Sequence, residues 1–243
     1  MAGISDTVKA MLRRAANGMG YDIVGFDGDN PRARLARLLN RHRINVVFDV
    51  GANCGAFGWD LRELGFAGKI VSFEPLQDAF AQLQDKARHD PKWQAVNIGL
   101  GARDEERVLQ VAANSQSSSF LPMLNAHVEA APESAYQGQQ IARLRRLDQV
   151  FGDYCGPDDR IFLKIDTQGF EEQVLEGAGA TLAAMPLVQL ECSLVPLYEG
   201  GQTIESLIGL MRSRGYAPID MLTTFRHRDS AHLMQVDVLF ARH

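Results

Sequence analysis

Val8, Met11, Leu12 and Ala15 repeat at the spacing of one helical face, which predicts a helix over 4–17 closed by Gly18. Pro31 opens a second, with Leu35, Leu38 and Leu39 on one face. The period then changes. Asn45-Val46-Val47-Phe48-Asp49-Val50 is a short β-branched run stopped by Gly51, the pattern of a strand buried on both faces. Further strands are expected at 70–73, 95–98, 161–165, 187–192, 216–222 and 236–240, with helices over 57–64, 79–88, 170–175 and 203–214. Such alternation predicts an α/β fold, a mostly parallel seven-stranded sheet with helices on both faces.

Residues 102–146 break the rhythm. Val108-Leu109-Gln110-Val111 reads as an extra strand, and Asn114 to Ser119 as a polar loop followed by Phe120. Long loops in compact domains are usually functional, so this insertion is a candidate binding element. The resulting division is an N-terminal helical cap over 1–44 and a main domain over 45–243.

Composition narrows the class. With 46% hydrophobic and 23% charged residues the chain can fill a core, which excludes a disordered protein. No apolar run is long enough to cross a membrane as a helix. The cysteines, Cys54, Cys155 and Cys192, are too few and too scattered for a disulfide framework or a zinc site, and point to the reducing cytoplasm. A net charge of −5 argues against nucleic acid as a partner. Residues 1–43 nevertheless carry 8 Lys and Arg against 4 Asp, so this basic segment is a candidate for peripheral contact with a membrane.

The first strand leads into Asp49-Val50-Gly51-Ala52-Asn53-Cys54-Gly55. Glycines at this point let backbone approach a ligand, and the following helix N-terminus brings N–H groups. The spacing is not the G-x-G-x-x-G of dinucleotide enzymes. Glu74, 23 residues after Gly51 and at the end of the second strand, is placed to accept hydrogen bonds from a ribose diol. Asp49 is placed to meet an ammonium group, and Asn97 ends the third strand. Asp166 ends the fourth strand and Glu191 lies near the end of the fifth, so the two can converge beside a ligand. Lys164 reads as structural, paired with a carboxylate. His42, His89 and His243 read as surface residues, His127 as a solvated loop residue, and His227 and His232 as flanking a hairpin.

Five segments stand together in order: Val47 to Gly55, Phe73-Glu74-Pro75, Asn97 to Gly101, Leu163-Lys164-Ile165-Asp166-Thr167-Gln168-Gly169-Phe170-Glu171, and Leu190-Glu191-Cys192-Ser193. In this the chain resembles the FkbM family of S-adenosylmethionine-dependent methyltransferases over about residues 45–215. The family commonly has Val-Glu where this chain has Thr167-Gln168, so no role for an acid at that second position carries over. The resemblance implies a Rossmann-like class I methyltransferase fold. It also implies O-methylation of a sugar, glycolipid or related secondary metabolite, and the sugar-directed branch, with its fucose O-methyltransferases, looks similar.

On that footing Asp49, Gly51, Asn53, Gly55, Glu74, Pro75 and Asn97 are the expected S-adenosylmethionine contacts. Asp166 is the first choice of general base, with Glu191 orienting the acceptor. Two carboxylates are too few to define a metal site. Ser117, Phe120 and Tyr198 are the expected acceptor contacts, the aromatic rings stacking on a sugar face. The rival readings are a nucleotide-dependent oxidoreductase and a non-catalytic cofactor-binding protein.

Overall fold

The structure is a computed structural model that describes residues 6–242. The expected helix start at Ile4, and His243, lie outside the described residues. The chain divides into two units, the first ending at Leu38 and the second beginning at Leu39. The first holds α1 (Asp6–Gly18) and most of α2 (Pro31–Arg41). Asn30 caps α2: its Oδ1 accepts the N–H groups of Arg32 at 3.0 Å and Ala33 at 3.2 Å, which leaves Pro31 the position where a missing N–H costs nothing.

The second unit is built on β1 (Val46–Val50), β2 (Lys69–Phe73), β3 (Trp93–Val96), β7 (Ile161–Ile165), β8 (Leu187–Ser193), β9 (Tyr216–Arg226) and β10 (Leu233–Arg242). Their order in the sheet is β3-β2-β1-β7-β8-β10-β9. All pairings are parallel except those of β10, which runs antiparallel to β8 and β9. The joining helices are α3 (Ala56–Glu63), α4 (Gln77–Ala87), α6 (Leu147–Tyr154), α7 (Glu171–Gly177) and α8 (Ile204–Ser213). The fold is thus the expected α/β one, with a seven-stranded, mostly parallel sheet.

Burial explains the composition of the central strands. Every residue of β1, β7 and β8 is buried, so each reads as a near-continuous apolar run. Phe48 packs edge-on against Phe73, Phe151 and Tyr154, with ring centroids 5.9, 5.9 and 6.4 Å apart. A large apolar side chain buried this way contributes about 1.5–3 kcal/mol.

The 102–146 region is more structured than its sequence suggests. β4 (Gly99–Leu100), β5 (Glu105–Ala112) and β6 (Tyr136–Arg145) form a second sheet in the order β4-β6-β5, with α5 (Asn125–Ala130) between β5 and β6. β6 escapes a hydrophobicity reading because only Ala142 and Leu144 along it are buried. Residues 114–119 remain a loop, pinned back to β5 by paired backbone hydrogen bonds between Gln110 and Ser119.

Candidate active site

A cavity of about 520 Å³ opens at the carboxyl ends of β1, β2, β7 and β8, where open α/β sheets bind ligands. One end is the turn after β1. Gly51 has φ 78°, and a Cβ there would fall 1.8 Å from the Asp166 carbonyl oxygen, so only glycine lets the β1 and β7 ends lie together. The turn's N–H groups are already used. Gly51 and Ala52 donate to the Phe73 carbonyl, Gly55 to that of Ala52, and Asn53 to Glu74 Oε2 at 2.7 Å. The turn itself thus supplies shape, and the N–H groups expected from the following helix belong to the first turn of α3, which begins at Ala56.

Glu74 lies at the rim of this end. Its other oxygen accepts the Leu76 N–H at 2.8 Å, and burial pushes the carboxyl up to about 7. Each carboxylate oxygen has a second lone pair, so the group retains capacity for a diol. Pro75 also lines the cavity. Asn97 does not: its side-chain amide donates to the Glu74 and Pro75 carbonyls at 2.8 and 3.3 Å, holding the strand end from outside.

Asp49 is fully buried beneath the cavity. It sits opposite Lys164 in the β1–β7 register, 3.6 Å from its ammonium, and accepts the Ser72 hydroxyl hydrogen bond at 3.2 Å. The ammonium Asp49 meets is thus that of Lys164, and not that of a ligand. Burial raises Asp49, while the surrounding acids, Asp166 first, hold Lys164 protonated despite its own burial.

The middle of the cavity carries the acids. Asp166 accepts from Lys164 Nζ on Oδ2 at 3.1 Å and from Gln168 Nε2 on Oδ1 at 3.0 Å. The same Gln168 nitrogen donates to Glu191 Oε2 at 2.6 Å, and Gln235 Nε2 donates to that oxygen at 2.9 Å. Burial, reinforced by Asp166, raises Glu191 well above the usual carboxylate range. The 167–169 turn is set by Glu171, whose Oε1 accepts from Thr167 N, Thr167 Oγ1 and Gly169 N at 3.0, 3.2 and 3.2 Å.

The far end is formed by residues 114–120, α5 and the end of β9. Ser117 and Phe120 line it, Phe120 tilted on Phe170 at 5.3 Å. Tyr198 does not. It is 2% exposed, with its hydroxyl 2.7 Å from Gln168 Oε1, so a stacking role on a sugar face is corrected to one of support. His127 is likewise no solvated loop residue. It is 3% exposed on α5, its ring 5.1 Å from Tyr198 and 5.3 Å from Phe225, and burial lowers it to about 4, so it is neutral. Thr224, Phe225 and Gln235 also line this end; nothing in their sequence marks them, because β9 and β10 reach the cavity only through the antiparallel return of the chain.

A glycine turn, a rim carboxylate and an acid pair stand together at the carboxyl ends of this α/β sheet, around a ligand-sized cavity. The Methyltransferase FkbM domain matches residues 49–218, and the chain belongs to that family. It is an enzyme whose methyl donor is S-adenosylmethionine. Over 175 residues it is 31% identical to the AMB antimetabolite synthetase AmbE of Pseudomonas aeruginosa, a match covering 60% of this chain but 8% of that much longer relative. Among solved structures it is similar to M. capricolum TrmK in complex with S-adenosyl-homocysteine, at 9% identity and a TM-score of 0.47, covering 87% of this chain and 67% of that one. It is also similar to Aeropyrum pernix fibrillarin with natively bound S-adenosyl-L-methionine, at 9% identity and a TM-score of 0.46, covering 82% and 66%.

Proposed function

We propose that the chain methylates a hydroxyl of a sugar, glycolipid or related secondary metabolite, and that Glu191 takes the hydroxyl proton. The carrying observation is the acid pair in the cavity, held by one amide nitrogen. When bound, S-adenosylmethionine supplies an electrophilic methyl group on a positively charged sulfur. Gly51, Asn53 and Gly55 shape its seat, and Glu74 accepts from its ribose. Glu191 would take the proton of the acceptor hydroxyl as that oxygen accepts the methyl group, and the sulfur would leave with the bonding pair as a neutral thioether.

This reverses the order of the two acids expected from sequence. Both oxygens of Asp166 already accept hydrogen bonds, one from a buried ammonium, which makes it a poor base. The hydrogen bonds to Glu191 fall on Oε2, so its Oε1 is left to meet the acceptor hydroxyl, and its burial, reinforced by Asp166, raises its affinity for a proton. Beside a sulfonium charge Glu191 ionises more readily. Asp166 then orients, keeping Lys164 and Gln168 in place.

The acceptor class follows from the lining. Asn114, Gln116, Ser117, Thr224 and Gln235 bring amides and hydroxyls beside Phe120 and Phe225. Such a wall suits a neutral polyhydroxyl compound rather than a nucleic-acid backbone. The cysteines are free thiols, in keeping with a cytoplasmic setting. Among the described residues no helix is long and apolar enough to cross a membrane. Val8, Met11, Leu12, Met19, Tyr21 and Phe26 are exposed in the same stretch of sequence as Arg13 and Arg14, which supports peripheral contact with a membrane that carries a glycolipid acceptor.

The test supplies S-adenosylmethionine with a panel of monosaccharides, glycolipids, amines and carboxylic acids, and reads S-adenosylhomocysteine release. Release is expected with a hydroxylated acceptor. Turnover confined to amines or carboxylates would overturn O-methylation.

A further inference from the structure

Gln168 is built into the cavity with unusual constraint. Its backbone is left-handed, φ 56°, a conformation that a residue with a side chain adopts only at a cost. The following Gly169 is also left-handed, and a Cβ there would lie 2.9 Å from Tyr198 Cβ. This double reversal brings the Gln168 side chain back against Asp166, two residues upstream. Strain of this kind persists where surrounding structure holds it, often at functional sites. Here the hold comes from two sides. Ser119 Oγ donates to the Gln168 carbonyl at 2.7 Å, and Glu171 ties Thr167 and Gly169.

The orientation of the amide follows from the two carboxylates on one side and Tyr198 on the other, whose hydroxyl also lies 3.3 Å from the Ser117 carbonyl. Burial keeps that phenol protonated, so it donates its hydrogen to Gln168 Oε1 at 2.7 Å. The amide nitrogen must then face the acids. It has two hydrogens, and two carboxylates stand at 3.0 and 2.6 Å. Each hydrogen is spent on a different acid.

We propose that Gln168 is a positioning residue that couples Asp166 and Glu191 into one pair and sets the pH at which Glu191 can accept a proton. This rests on the reading of Glu191 as the base. Glu191 is buried and Asp166 half-buried, both within reach of one amide nitrogen, and a neutral amide that donates to Glu191 favours its charged form. The other charged or titratable groups around the pair are Lys164 from β7, Asp49 from β1, Glu74 at the end of β2, Cys192 from β8, Asp237 from β10, Glu171 from α7 and the Tyr198 phenol. Lys164 opposes their repulsion but reaches only Asp166 by a hydrogen bond, and Gln235 reaches only Glu191. Gln168 bonds to both members.

The test is a carboxyl-carbon NMR titration of the ligand-free full chain, with S-adenosylhomocysteine titrated calorimetrically into each variant. Gln168→Gly keeps the left-handed backbone at less cost and removes the amide. Gln168→Glu keeps the shape and adds a third acid. Loss of donors to the charged form should move the Glu191 titration up by about one pH unit in the first variant, and further in the second. Both should bind S-adenosylhomocysteine within about threefold of the parent chain, since the seat at Gly51 and Glu74 is untouched. Unmoved Glu191 titrations in variants that still bind the ligand would reduce Gln168 to a loop residue and overturn the proposal. If a variant loses that binding, the other decides by its own titration. Absence of binding to the parent chain itself would instead overturn the methyl-donor seat on which the reading of the site rests.

Discussion

The two ends of the cavity are made differently. The donor end rests on β1, β2 and the turn between β1 and α3, and its polar groups are satisfied locally: Asn53 and Leu76 N–H on Glu74, Asn97 on the strand end. The acceptor end gathers residues from loop 114–120, the 167–169 turn, α5, β9 and β10, tied by long-range side-chain contacts such as Tyr198 to Gln168 and Gln235 to Glu191. A seat for a fixed ligand can be written into one short connection. A seat that chooses an acceptor and holds reactive acids is assembled from many pieces, each replaceable without unmaking the sheet.

Four substitutions or conditions break that contrast, in order of size. Glu191→Gln should lower kcat by ~10²–10⁴ in methyl transfer, with donor affinity little changed, as expected on loss of a general base. Near-normal turnover would return the base role to Asp166. Gly51→Ala acts through the sheet, since its Cβ would strike the Asp166 carbonyl and its φ is left-handed. A loss of about 3 kcal/mol or more of unfolding free energy is expected in denaturant titration; a stable variant would show that the β1 and β7 ends tolerate separation. Glu74→Ala should weaken S-adenosylhomocysteine by about 1–3 kcal/mol, the value of charge-assisted hydrogen bonds.

The smallest effect is on pH. Glu74 is raised to about 7 in the free chain, and a diol donates to its ionised form. Affinity for S-adenosylhomocysteine should therefore fall as pH drops below about 7, by at most about tenfold per unit for one proton; Glu74→Gln should flatten that slope. Stability of the free chain runs the other way. Glu74 and Glu171 at about 7, and Asp237 at about 6, hold protons in the folded state that the unfolded chain has released. That contribution is full below the unfolded pKa values and is lost as pH rises through 6 to 7, so Tm should fall between pH 5 and pH 7.5. A rising Tm over that window would mean these acids are ionised in the folded chain.

The same contrast governs what was legible in the sequence. β1, β7 and β8 announce themselves because they are buried on both faces, and Gly51 and Glu74 follow at fixed offsets from strand ends. Lys164 was readable as the partner of a carboxylate because an ammonium inside a buried strand needs one. Asp49 was misread as ligand-facing, since its alternation along β1 does not show that Lys164 lies opposite. β6 was hidden by exposed glutamines. Tyr198 was expected to stack on the acceptor and His127 to be solvated, but the two rings pack on each other, a contact between a loop and a short helix that no local pattern marks. Gln235 and Phe225 were unreadable, for they owe their place to the β9–β10 hairpin folding back beside β8.

The central claim is that donor binding and proton transfer belong to separate ends of one cavity. Calorimetric titration of neutral S-adenosylhomocysteine into the parent chain, Glu74→Ala and Glu191→Gln tests it most directly. The account expects Glu74→Ala to bind about fivefold or more weakly and Glu191→Gln to stay within about threefold of the parent. Equal losses in the two variants, or a larger loss in Glu191→Gln, would contradict it.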